Sequence, residues 1–304
     1  MIRIIKIFIF FTFFNLVYGQ SEFIYILGNV QDAGLPHIGC QHKFCKEKFN
    51  EFEQFFSTSI AVVDSANKKY ILFEATPDLP YQLNYLETEV FNEFILPESI
   101  FITHAHIGHY AGLMYFGREA LGAKNIMIKV LPKMSNFLRT NGPWSQLVDI
   151  NNIKIQNLSF DENTDELSNI TITPIQVPHR DEYSETAGFI IKGKNKKALF
   201  IPDIDKWKKW DKDLKQLVYE FDYLLLDATF YDSKEINRDI SEIPHPLVSE
   251  TIALLSDLSF EAKKKIYFIH MNHTNLMLDS KSELSKSVIS KGFNIARLGQ
   301  KIYL

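Results

Sequence analysis

Cysteine is almost absent from this chain: Cys40 and Cys45 are the only two in 304 residues. A disulfide-dense mini-scaffold is thereby excluded. Glycine (13) and proline (11) are too few for a collagen-like repeat or a low-complexity linker, and no internal period recurs. Positive charge is not in excess either. The 33 Lys and Arg stand against 37 Asp and Glu, a net charge of −4, and they fall in short runs such as 194–197 and 263–265. No nucleic-acid partner is expected of such a surface. With 46% hydrophobic and 23% charged residues, the chain has the make-up of a folded globular protein with a sizeable core.

Long apolar runs are also missing, save one. Met1–Gly19 places Arg3 and Lys6 ahead of the run Ile7–Phe14, then the small residues Val17 and Gly19. This is the layout of a secretory signal peptide, and the run is shorter than the ~20 residues a membrane span needs. The expected division is therefore a signal peptide over 1–19 and one domain over 20–304, located in the periplasm or secreted. No cysteine follows the expected cleavage point for lipid attachment, so no stable membrane association is expected afterwards. Losing Arg3 and Lys6 takes the net charge from −4 to −6.

Short β-branched or aromatic runs recur: 23–30, 58–64, 70–73, 99–103, 125–131, 153–158, 170–177, 187–192, 198–201, 223–226, 265–270 and 294–298. Helical spacing is found over 77–87, 206–220, 246–258 and 280–290. Strands crowd the first half and mix with helices later, which predicts an α/β (α+β) fold of helical layers packed on sheets.

Histidine supplies the chemistry. His104, His106 and His109 fall within six residues, directly after the apolar run 99–103. In extended backbone the side chains of His104 and His106 project to one side and can share an ion. His109, a turn later, points to a neighbouring position. Further ionisable residues follow later runs: His179 after 170–177, Asp203 and Asp205 after 198–201, His270 and His273 after 265–269. Ionisable groups placed repeatedly at strand ends predict one metal site at a common sheet edge. Singly, each has a blander reading; Asp203 or Asp205, for instance, could cap a helix beginning near Lys206. Cys40, His42 and Cys45 suit a structural zinc, which takes four S or N ligands, with His37 or His273 as candidates for the fourth. A Cys40–Cys45 disulfide is the alternative in an exported protein.

These residues resemble the metallo-β-lactamase superfamily, whose hallmark is a strand followed by H-x-H-x-D-H, then a distant His, a bridging Asp and a final His. His104, His106 and His109 match the first motif, His179 the next His, Asp203 the bridging Asp and His270 the last His. The resemblance implies an αββα sandwich holding one or two zinc ions, with iron as the alternative metal. Gly108 stands where the motif has Asp, so the second ion's ligand set is one carboxylate short. Within the superfamily, four stretches resemble PqqB-like proteins of pyrroloquinoline quinone biosynthesis. They are Leu27-Gly28 with Gly34-Leu35-Pro36 and the cysteine segment, Asp227-Ala228-Thr229-Phe230, Pro244-His245-Pro246, and 268–275. Those proteins lack most of the His-x-His pair and an export signal, both of which this chain carries.

The implied activity is metal-dependent hydrolysis of a small-molecule ester, lactone, lactam or phosphodiester. Asp203 would hold the water or bridge two ions, and His245 or His273 would donate a proton to the leaving group. A PqqB-like iron-dependent oxygenase and a non-catalytic exported metal- or ligand-binding protein are the competing readings. Substrate and oligomeric state do not follow from these residues.

Overall fold

The computed structural model describes residues 21–51, 54–235 and 243–304. The expected signal segment lies outside the described residues, and among those no helix is long and apolar enough to cross a membrane.

Alternating side chains decide the layers. In β1 (Glu22–Gly28), Ile24 and Ile26 join one core while Phe23, Tyr25 and Leu27 join another, and all seven residues are buried. Strand β2 (Ser59–Asp64) repeats this with Ile60 and Val62 against Ala61 and Val63. So does β3 (Lys69–Phe73), with Ile71 and Phe73 against Tyr70 and Leu72. Strands apolar on both faces need cover on both. β4 (Ser99–Phe101), β5 (Ile126–Val130) and β6 (Ile153–Asn157) extend this first sheet.

The second sheet comprises β7 (Thr164–Leu167), β8 (Ile170–Gln176), β9 (Ala187–Lys192), β10 (Lys197–Ile201), β11 (Tyr223–Asp227), β12 (Ile266–Ile269) and β13 (Asn294–Ile295), in spatial order β13-β12-β11-β10-β9-β8-β7. The last strand, β14 (Lys301–Tyr303), returns to the first sheet beside β1. The inner faces meet on an aromatic cluster: Phe73 lies 5.1 Å from Phe101, 5.2 Å from Phe189 and 5.9 Å from Phe200, centroid to centroid.

Helices cover the outer faces. The second sheet carries Cys45 of α1 (Lys43–Glu51) in its outer core. The first sheet is covered by α2 (Leu79–Leu86), α3 (Ile107–Tyr110), α4 (Pro132–Thr140) and α5 (Trp144–Asp149), through Leu79, Leu83, Tyr110, Met134, Leu138 and Leu147. On the second sheet lie α6 (Leu214–Glu220), α7 (Val248–Leu254), α8 (Phe260–Lys263) and α9 (Glu283–Ser290), through Leu214, Val248, Ala262 and Val288. The result is the expected αββα sandwich.

One expected element is broken. The segment 206–220 is not a continuous helix: a short 3₁₀ turn over Trp207–Lys209 precedes α6, and Asp213 caps α6 by accepting from Lys215 N at 2.8 Å. An aspartate there competes for backbone donors and starts a new helix instead of continuing one. The polar strand β7 carried no apolar signal; its Glu166 is ion-paired with Lys129 of β5 and accepts from Ser99 Oγ of β4, linking the two sheets.

Strand direction brings the chemistry together. β1, β3, β4 and β5 run one way, because β2 is antiparallel to both β1 and β3 while β4 and β5 are parallel to β3. In the other sheet β8, β10, β11 and β12 share a direction, β9 being antiparallel to β8 and β10. Ala187 N at the start of β9 donates to Thr103 O after β4 at 3.1 Å, joining the sheets at that edge. Loops beyond the carboxyl ends of such strands gather into one crevice.

Phe189→Ala should leave a cavity between the sheets that neither can close, costing about 3–5 kcal/mol. Chemical denaturation of variant and wild type checks this; a loss below about 1 kcal/mol would show that the inter-sheet core repacks freely.

Candidate metal centre

Each expected ligand of the first motif follows a strand end. Thr103 Oγ1 is hydrogen-bonded to His104 Nδ1 at 2.8 Å, which turns Nε2 of this buried ring inward. His106, still extended at φ −88° and ψ 138° before α3 begins, bonds Glu182 through Nε2 at 3.2 Å. Its Nδ1 lies 2.7 Å from His104 Nε2. His179 brings its ring to the same pair, and the three offer ligand atoms all within 4.8 Å of one another.

Asp203 stands at the centre. Its Oδ2 lies 2.9 Å from His109 Nε2, 3.2 Å from His270 Nε2 and 3.8 Å from His104 Nε2. Its Oδ1 lies 3.3 Å from His245 Nδ1 and 3.8 Å from His179 Nε2. Four ligand groups overlap here: His104/His106/His179, His104/His109/Asp203, His179/Asp203/His245 and Asp32/His109/His270.

The polar atoms of this cluster are not satisfied by one another. Both ring nitrogens of His109 and His179, His270 Nε2, Asp203 Oδ1 and Glu74 Oε1 are buried without a hydrogen-bond partner. Some of these approach a carboxylate closely, but off the line a hydrogen bond requires. Of these, the Nε2 atoms of His109, His179 and His270 converge on Asp203, and such a group is costly in a protein interior unless an ion completes it. The donor set, imidazoles with a shared carboxylate, fits zinc or iron.

Electrostatics agree with that fit. Burial pushes the His104, His106 and His179 rings below their usual pKa, His179 to about 4, so they are neutral and free to ligate. For Asp203, burial opposes ionisation, but His270, His179, His109 and His245 outweigh it and hold the carboxyl well below its usual value. Burial likewise opposes charge on His109, and Glu74, Asp203 and Asp32 reverse it, holding that ring well above its usual value. The positive charge these carboxylates draw onto His109 as a proton is what a bound cation would supply.

Supporting groups orient the rings from behind. Glu74 Oε1 lies 3.4 Å from His109 Nδ1, and Thr229 Oγ1 lies 3.2 Å from both His270 Nδ1 and His245 Nδ1. Asp227 Oδ2 accepts from His245 Nδ1 at 2.8 Å. Partners of this kind fix which nitrogen faces the metal. Asp32, Glu74 and Asp227 belong to the site and were not among the expected site residues. Each follows an apolar run within a few positions, the same signal that marked Asp203. A cleft of about 480 Å³, lined by Lys133, Phe137, Glu182 and Tyr183 among others, shares Glu182 with the hydrogen bond to His106.

Two expectations come out differently. His273 does not join the cluster: its ring stacks on His37 at 4.0 Å, and burial with the nearby His37 and His42 lowers it to about 4. Among the described residues, His42 does not form a three-ligand group with the two cysteines. Cys40 and Cys45 carry no disulfide, and Cys45 Sγ instead accepts from His37 N at 3.0 Å. Asp205 lies aside from the centre, bonded to Lys206 N and Lys209 Nζ, each at 2.6 Å.

The family model described as "Beta-lactamase superfamily domain" matches residues 69–271. The coenzyme PQQ synthesis protein B of Methylorubrum extorquens is 22% identical over 305 residues, covering 91% of this chain and 98% of that protein. The corresponding protein of Nitrosococcus oceani is 21% identical over 316 residues, covering 92% and 99%. Among solved structures, Zn(2+)-bound PqqB from Methylobacterium extorquens superposes with a TM-score of 0.77 at 20% identity, covering 93% of this chain and all of that one. A diphosphatase from the PhnP family superposes at 0.63 with 21% identity, covering 92% and 96%. The strand-end histidines, the shared aspartate and these whole-length matches have one explanation: the chain belongs to the β-lactamase superfamily, has its metallo-β-lactamase fold and is PqqB-like.

Proposed function

We propose that this protein is a metal-dependent hydrolase whose metal is held by His104, His106 and His179, with Asp203 shared toward a second position at His109 and His270. The observation that carries this reading is the set of buried, unpartnered nitrogens and oxygens converging on Asp203. A divalent ion there supplies an acidified water and polarises the substrate's oxygen. The protein's own groups do the rest. Asp203, kept ionised by the surrounding imidazoles, presents Oδ1 to orient the attacking water. Burial works against protonation of His245, but Asp227 and Asp203 outweigh it and raise its pKa, which suits it to donate a proton to the leaving group. The cleft that Glu182 lines offers the rest of the substrate a place to lie.

Esters, lactones, lactams and phosphodiesters all fit this chemistry. A shared carboxylate between two ligand groups suits a clamp on both the attacking and leaving oxygens, which puts phosphodiesters first. The likeness to a diphosphatase from the PhnP family supports that order. A second reading, an iron-dependent oxygenase, is supported by the whole-length match to PqqB proteins and by a mixed His/carboxylate donor set.

Zinc-, manganese- or iron-loaded protein should hydrolyse at least one of a phosphodiester, an aryl ester, a lactone and a β-lactam without oxygen. His104→Ala should lower kcat/KM at least about a hundredfold with loss of bound metal. Oxygen uptake on a phenolic substrate, with no hydrolysis of the panel, would overturn this in favour of the oxygenase. Turnover that His104→Ala leaves untouched would overturn both.

Protons should compete with the metal at His179 only as the pH falls toward about 4. Retention of the ion held by His104, His106 and His179, followed against a chromogenic chelator, should therefore be flat from about pH 8 to about pH 6 and fall below that. At the second position, the raised pKa of His109 lets protons compete already at higher pH. A loss of the first ion already centred near the ordinary histidine value would show that burial does not hold its three rings neutral.

A further inference from the structure

Gly108 occupies the position at which the H-x-H-x-D-H motif has its aspartate, and the fold has no room for one there. A Cβ on residue 108 would stand 2.5 Å from Asp32 Cα, 2.6 Å from Asp32 Oδ1 and 2.8 Å from Asp32 Cβ. The space of the missing side chain is filled from a different strand end.

Backbone bonds hold Asp32 there. Val30 forms bridges to both Ser57 and Met271, Gln31 N donates to Met271 O at 2.8 Å, and Met271 N donates to Asn29 O at 2.8 Å. Ser57 Oγ donates to Asp32 O at 2.7 Å. The loop after β1 is thus tied to the residue after His270, with Asp32 at a φ of 37°. In that conformation Asp32 Oδ1 comes to 3.5 Å from His109 Nε2. Asp32, His109 and His270 offer ligand atoms within 4.8 Å of one another. The Nε2 atoms of both rings are buried, have no hydrogen-bond partner and face Asp203 Oδ2.

We infer that Asp32 is the carboxylate ligand of a second cation, held with His109, His270 and the shared Asp203, and that it replaces the aspartate missing at position 108. The inference rests on the cluster being a metal site. Glycine at 108 and aspartate at 32 form a matched pair, in which the carboxylate comes from the loop after β1 and the motif position is emptied to admit it. With the main chain of residue 32 on this path, residue 108 can carry no side chain.

The test is zinc stoichiometry of the full chain after equilibrium dialysis, counted by elemental mass spectrometry for wild type, Asp32→Ala, Asp32→Asn and His104→Ala. Circular dichroism of the metal-free forms checks folding. Both Asp32 variants should hold one zinc fewer than wild type at a concentration that saturates wild type, with the affinity of that zinc at least about tenfold weaker. Any zinc bound at the cysteine segment would be common to all four proteins and cancel from the difference. Should Asp32→Ala fail to fold, the isosteric Asp32→Asn carries the comparison. Asp32 variants that bind as many zinc ions as wild type, equally tightly, overturn the inference. If they do so while His104→Ala loses zinc, the proposed function stands without it. If His104→Ala loses none, the metal-site reading itself fails.

Discussion

One buried negative charge organises this molecule. Asp203 is all but inaccessible to solvent and is nonetheless held ionised, with five imidazoles between 2.9 and 3.8 Å from its two oxygens. A carboxylate removed from water is tolerated only where positive charge or directed donors replace its hydration. Those imidazoles arrive from four separate stretches of chain: His104 and His109 follow β4, His179 follows β8, His270 follows β12, and His245 stands just before α7. The parallel directions of β3 with β4, and of β10 with β11 and β12, are thus conditions for Asp203 to stay charged.

The backbone around this charge is bent out of its preferred regions. Asp32, Glu74 and His270 have φ of 37°, 71° and 64°, left-handed values that side-chain-bearing residues avoid. All three point groups at the same histidine-rich centre, and all three are tied by backbone bonds. Glu74 N donates to Phe101 O at 2.8 Å and Ala75 N to His109 O at 2.9 Å, while Met271 N reaches Asn29 O. Strain at a site persists only where the surrounding structure over-determines it. Here the two seven-stranded sheets and their aromatic seam provide that constraint.

Much of this could be read along the chain. His104, His106, His179, Asp203 and His270 are visible because rigid apolar runs precede them, and because imidazole and carboxylate are the natural ligands of a borderline metal. His245, flagged on a resemblance, does lie against Asp203 and Asp227. Asp32, Glu74 and Asp227 obey the same strand-end rule, yet ordinary surface loops also put acids after strands, so the rule alone does not select them. His273 satisfied the rule and nonetheless stacks on His37, away from the cluster.

Local sequence was enough for the layers: period-two alternation in β1, β2 and β3 requires cover on both faces, whatever supplies it. It was enough, too, for a metal-type donor set, since side-chain chemistry travels with the residue. Whether the carboxylate missing at Gly108 is made good could be decided only in three dimensions. Asp32 is 76 positions away, and its approach to His109 exists because bonds to Met271 and Ser57 fold one loop against another. Distance along the chain carries no information about such a contact. Excluded volume does, because a side chain at 108 would need space taken by the Cα and side chain of Asp32.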